Sequence, residues 1–103
     1  MATIAELSIF PLDKGQSVGK YIARVLEVIE ESGLDYRLGA MGTCIEGEFA
    51  RVMEVIGRCH GVLAVDCERV YCVIKMDTRK GHENMMEGKV RSVEKKLGRE
   101  LRK

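Results

Sequence analysis

A chain of 103 residues, 46% hydrophobic and 32% charged, has the composition of a single globular domain and none of the bias of a disordered one. Its formal net charge of +1 excludes whole-molecule electrostatic attraction to nucleic acid or membranes. Its apolar runs are only a few residues long, too short for a transmembrane helix.

Residues 2–10 alternate, with Thr3, Ala5, Leu7 and Ile9 on one face and Ile4, Glu6, Ser8 and Phe10 on the other, the period of a strand with one buried face. This segment lacks the basic and apolar regions of a signal peptide, so the expected location is the cytoplasm. Pro11 ends the strand and Asp13-Lys14-Gly15-Gln16 makes a loop. Ser17 is placed as the N-cap of a first helix, whose stripe is Val18, Ile22, Val25 and Ile29, widened by Tyr21, Leu26 and Val28. Ser32-Gly33 stops it, glycine taking the left-handed position after the last turn.

Residues 35–47 read as two short strands around Gly42, with Gly39 and Gly47 suiting a tight or bulged hairpin. A second helix runs from about Glu48, with Phe49, Val52, Met53, Ile56 and Cys59 as its stripe, and is expected to end at Gly61. Val62, Leu63 and Val65 then lead back to the core. Residues 68–77 alternate again, Val70, Cys72, Ile74 and Met76 opposing Arg69, Tyr71, Val73, Lys75 and Asp77. Met86, Val90, Val93, Leu97 and Leu101 mark a third helix with a narrow seam.

The order β, α, β, β, α, β, α predicts an α+β fold over residues 1–103: a ferredoxin-like βαββαβ sandwich with an additional C-terminal helix. Two helices cover one face of a four-stranded sheet. The open face carries Ile4, Phe10, Tyr71 and Val73 beside Glu6, Ser8, Arg69 and Lys75, so association of copies through it is expected, with carboxylate and cation pairing across neighbouring strands. A solvated face with scattered apolar residues is the alternative. The thin-seamed third helix is expected to cap a sheet edge or pack on a neighbouring subunit.

Cys44, Cys59, Cys67 and Cys72 match no CxxC pattern and read as small apolar residues in a reducing compartment. His60 and His82 form no nucleophile-and-base set, the glycines make no phosphate loop, and neither metal nor cofactor is called for. Residues 88–103 carry seven cations against two anions, which suits a solvated helical face near a C-terminal dipole better than nucleic acid. Thr43, Glu46 and Glu48 sit at a strand-to-helix junction, either serving a helix N-terminus or walling a small-ligand site.

Three stretches carry a family resemblance: Ser17-Val18-Gly19-Lys20-Tyr21-Ile22-Ala23, Met41-Gly42-Thr43-Cys44-Ile45-Glu46-Gly47-Glu48, and Arg69-Val70 with Ile74-Lys75-Met76-Asp77-Thr78-Arg79. Together with Lys89-Val90-Arg91-Ser92-Val93-Glu94, they make the chain similar to the YkoF-like thiamine-binding-protein family. The resemblance implies a ferredoxin-like fold, homodimers or homotetramers built through the sheets, and binding of thiamine or its hydroxymethylpyrimidine portion in some members; catalysis is not expected, because the residues offer no acid–base pair or metal set, and an enzyme is the third alternative. Ile22 stands where valine is usual and Thr78 where an aspartate is, which removes a carboxylate beside Arg79. The candidate ligand residues are Glu6, Glu46, Tyr21 and Tyr71 for a thiazolium cation, Ser8, Ser17 and Thr43 for an aminopyrimidine, and Arg79, centred on the sheet rim near Thr43 and Glu46. The alternative is a regulatory or structural oligomer with a different ligand or none.

Overall fold

The computed structural model describes residues 1–103 and forms β1 (Ala2–Pro11), α1 (Gly19–Glu31), β2 (Asp35–Leu38), β3 (Thr43–Glu48), α2 (Phe49–Ala64), β4 (Val70–Thr78) and α3 (Met85–Leu97). The sheet order is β2-β3-β1-β4, all antiparallel, the ferredoxin-like arrangement with α3 added. The alternation of β1 holds: Thr3, Ala5, Leu7 and Ile9 are buried beneath α1 and α2. Ile45 from β3, Val25 and Ile29 from α1, and Val52, Val55, Ile56, Cys59 and Leu63 from α2 complete the core. Burying each such aliphatic side chain contributes about 1.5–3 kcal/mol.

Two helix boundaries and one core position differ from the sequence reading. The N-cap of α1 is Val18, not Ser17, and no side chain caps that end. At the other end Gly33 takes φ +76°, as expected of a glycine just past a helix. Helix α2 does not stop at Gly61 but runs on to Ala64. Leu63 lies one turn beyond Cys59 and is fully buried, and that burial outweighs the roughly 1 kcal/mol helix penalty of a glycine. Val65, expected in the core, is 85% exposed.

Strand β4 is an edge, and Tyr71 to Thr78 are all exposed. Its inward row overhangs the helices, leaving Ile74 40% and Met76 37% exposed. On the open face Glu6 and Lys75 stand directly opposite and pair at 3.4 Å. Thr78 shares a 2.7 Å hydrogen bond with the buried Thr3 hydroxyl.

Helix α3 starts against that open face. Asn84 at its N-cap has φ +52° and makes no side-chain cap bond. The cap comes instead from β3, where the Glu46 carboxylate accepts the Met85 and Met86 backbone N–H groups at 2.6 and 3.0 Å. Met85 and Met86 are buried there, and Lys89 reaches Asp77 of β4 at 2.7 Å. The expectation that Glu46 or Glu48 serves a helix N-terminus holds for Glu46, but the helix is α3 and not α2.

Candidate ligand-binding site

Pairing of β1 with β3 ends at Leu7 opposite Thr43, while pairing with β4 continues to Pro11 opposite Val70. Residues 8–10 of β1 therefore present a free backbone edge on the β3 side. Beyond that edge the chain from Leu38 to Thr43 turns through Gly39 and Gly42, closed by a Gly39 N–H to Gly42 carbonyl bond of 2.9 Å. A Cβ on Gly39 would lie 2.8 Å from the Gly42 oxygen, and one on Gly42 would lie 3.3 Å from Glu6 and from the Leu7 carbonyl. The tight turn thus needs glycine where the hairpin meets β1.

Between this turn, the free edge and α1 lies a slot of about 240 Å³. Val18, Ile22, Val25 and Leu26 form its helical wall, and Leu38, Ala40 and Met41 form the hairpin wall. Of its bordering residues, Thr43 carries a hydroxyl on the helix side of the sheet, whereas the Ser8 side chain alternates to the open face, and no charged residue lines it. Thr43 is 4% exposed and borders the slot, and its hydroxyl is engaged by no other side chain. Such a site suits a flat, mostly apolar ring with a polar edge, read by hydroxyls and free strand groups.

The structure brings only part of the expected set together. Ser8 and Thr43 line the slot, and Ser17 precedes Val18 at its helical wall. Glu6 touches the hairpin through Gly42, but on the open face, where it meets Lys75 and lies 3.9 Å from the Cys44 thiol. That carboxylate and burial together push the Cys44 thiol pKa up, with burial the larger cause. Glu46 is not at the slot, since both its oxygens are engaged by α3. Tyr21 is 5% exposed, and its ring already carries the protein's own cations, Arg24 at 4.9 Å and Lys20 at 5.2 Å. Arg24 in turn is held by a two-pronged pair to Asp66 at 2.8 and 3.0 Å. Tyr71 stacks on Phe10 at 5.6 Å on the open face, and Arg79 lies exposed beyond the end of β4.

The sequence reading missed the hydrophobic walls. Ile22 and Leu26 form a second row on α1, one turn apart and offset from the core row of Val25 and Ile29. That extra width was the available signal. A second hollow, bordered by Asp35, Glu46, Glu48, Glu83 and Asn84, is acidic, but Glu46 is engaged by α3 and Glu48 by the amino group of Met1.

A family model described as thiamine-binding protein matches residues 5–94. The UPF0045 protein MJ1052 of Methanocaldococcus jannaschii is 37% identical over 90 residues, covering 87% of this chain and 90% of that one. Its crystal structure superposes with a TM-score of 0.83 over 89% of this chain and 95% of that one. The UPF0045 protein MT1949 of Mycobacterium tuberculosis is 38% identical over 98 residues, 94% of this chain and 96% of that one. Protein TM0486 of Thermotoga maritima, 22% identical, shares the fold with a TM-score of 0.80 over 90% of this chain and 99% of that one.

Proposed function

Since the chain belongs to the thiamine-binding protein family, we propose that it is a non-catalytic, cytoplasmic binding protein for thiamine or its hydroxymethylpyrimidine moiety, working as a homo-oligomer joined through the open sheet face. The observation that carries this reading is the uncharged slot beside Thr43, flanked by two of the family-like stretches, Ser17–Ala23 and Met41–Glu48. A neutral aminopyrimidine matches it in size, apolar faces and polar edge. The thiazolium, a cation, then lies at the mouth, where Glu6 borders the hairpin on the open-face side. Thr43 supplies a hydroxyl to the ring, the free backbone edge of residues 8–10 supplies further polar groups, and Ser8 and Ser17 offer hydroxyls at the rim.

The test is isothermal titration with thiamine, its pyrimidine fragment and thiamine phosphates. The expected result is one ligand per chain with a Kd in the micromolar range, about −8 kcal/mol. Thr43→Val keeps the shape and removes the hydroxyl, so affinity should fall by about tenfold, the equivalent of one hydrogen bond. A flat titration at high protein concentration would reject thiamine and leave an oligomeric domain with another ligand or none.

A further inference from the structure

The two registers of β1 fix which way each of its peptide groups points. On the β3 side the Met1 carbonyl accepts the Phe49 N–H at 3.1 Å, in phase with Thr3 opposite Gly47 and Leu7 opposite Thr43. On the β4 side the Leu12 N–H donates to the Arg69 carbonyl at 2.7 Å, in phase with Ser8 opposite Val73 and Phe10 opposite Tyr71. Main-chain groups of successive strand residues alternate between the two neighbouring strands, so the odd residues of β1 face β3 and the even ones face β4. Leu7 is the last odd residue with a partner. Continuing the register would set Met41 against Ile9, but the chain has turned away through Gly42 and Gly39, and Met41 is 89% exposed.

Ile9 is therefore left with both its N–H and its C=O on the slot side and no partner for either within the chain. The residue itself is 3% exposed and borders the slot. Buried peptide groups without a partner are rare, and here a donor and an acceptor are left free side by side. Val18, Ile22, Val25 and Leu26 surround them with apolar surface, which strengthens a matched hydrogen bond and raises the cost of a mismatched one. The free edge is one residue long. Leu7 before it is engaged by Thr43, and Pro11, the next residue to face this side, has no N–H. An added peptide strand needs a longer run of free groups, so the edge suits a two-point contact with a small ring.

We infer that the main chain of Ile9 is the reading group of the slot: it takes a flat heteroaromatic ring bearing an amino group beside a ring nitrogen, held in the plane of the sheet. The ring nitrogen accepts the Ile9 N–H and the amino group donates to the Ile9 C=O, as the opposed residue of a strand would. This rests on the aminopyrimidine reading proposed above and deepens it, because it names the atoms that discriminate. A 4-oxo ring presents the reverse pattern, a ring N–H toward the Ile9 N–H and an oxygen toward the Ile9 C=O. Turning such a ring over restores the match only by sending its substituent the other way along the slot. The slot thus selects the amino form over the oxo form with main-chain groups alone.

The test compares thiamine with oxythiamine, which carries an oxo group in place of the 4-amino group, by isothermal titration of the full chain. Two opposed hydrogen bonds in place of two matched ones should weaken oxythiamine at least about a hundredfold. Amide NMR of the same samples gives a second readout. At thiamine saturation the Ile9 N–H should move downfield and exchange with solvent at least about tenfold more slowly. The N–H groups of Ser8 and Phe10, which face β4, should change little. Thiamine binding with equal affinity for oxythiamine, or with an unmoved Ile9 amide, overturns this inference and leaves the slot reading standing. No binding of thiamine overturns both.

Discussion

Residues 2–69 and residues 70–103 share one sheet but are built to different standards of burial. The first region supplies nearly every buried side chain, while the second supplies only Met85 and Met86. Strands β1 and β4 show the contrast at its sharpest, because they pair along nine consecutive residues. Strand β1 has neighbours on both sides and a helical layer above it; β4 has one neighbour and projects past that layer. Alternating apolar sequence is thus enough to form a strand, but burial depends on where in the sheet the strand falls.

Substitutions should separate the two regions. Leu63→Ala or Ile45→Ala, at fully buried positions, should cost about 2–5 kcal/mol in denaturant unfolding. Ile74→Ala, measured at submicromolar concentration, should cost under about 1 kcal/mol, as at exposed sites. Equal losses would mean that β4 is as deeply packed as the core of the first region.

Next in size is Glu46→Ala, which removes the acceptor for two α3 N–H groups. The expected effect is about 1–3 kcal/mol confined to α3. It is read as faster hydrogen exchange at residues 85–97 with core amides unchanged, and with ligand affinity in the slot within about twofold of the parent. Weakened binding on this change would bring Glu46 back into the site.

Acid should erode both regions more gently. Asp13, which accepts the Glu68 and Arg69 backbone N–H groups, and Asp66, bonded to Arg24, are held below the usual carboxylate range, as are Asp77 beside Lys89 and Glu94 beside Lys103. Because their folded values are depressed, the stability they contribute is fully present above the ordinary value near 4 and is lost as pH falls through the lower folded values. Unfolding midpoints should be flat from neutrality to about pH 5 and decline below about pH 4. Asp13→Asn should flatten that decline in proportion to its share.

The smallest effect is chemical and leaves the fold untouched. Cys72 is exposed, whereas Cys59 is buried against the Val25 carbonyl with its thiol pKa pushed up to about 11 by burial. A brief alkylation at low protein concentration, read by mass spectrometry, should label Cys72 and spare Cys59.

The fold was legible because periodicity reports local burial directly: β1, the stripe of α1 and the glycines around the hairpin each say where they belong. Gly61 misled because propensity acts on single residues, whereas Leu63 is held in α2 by a core that no local pattern reveals. The lining of the candidate slot was legible only in part. Thr43 and Ser8 sit on the slot, but Glu46, chosen for its charge, turned out to cap a helix nearly forty residues downstream. A carboxylate beside a strand end has the same sequence signature whether it meets a ligand or an amide. Tyr21 was chosen as an aromatic face, and only the fold shows that face already occupied by Lys20 and Arg24.

The borrowed cap of α3 also sets an order of events during folding. A thirteen-residue helix is marginal alone, and the start of this one has a left-handed Asn84 with no cap of its own. Its first turn is completed only by a carboxylate that β3 presents once the sheet has assembled. The C-terminal arm therefore takes shape last, so its apolar seam becomes an organised surface only on chains whose core is already closed.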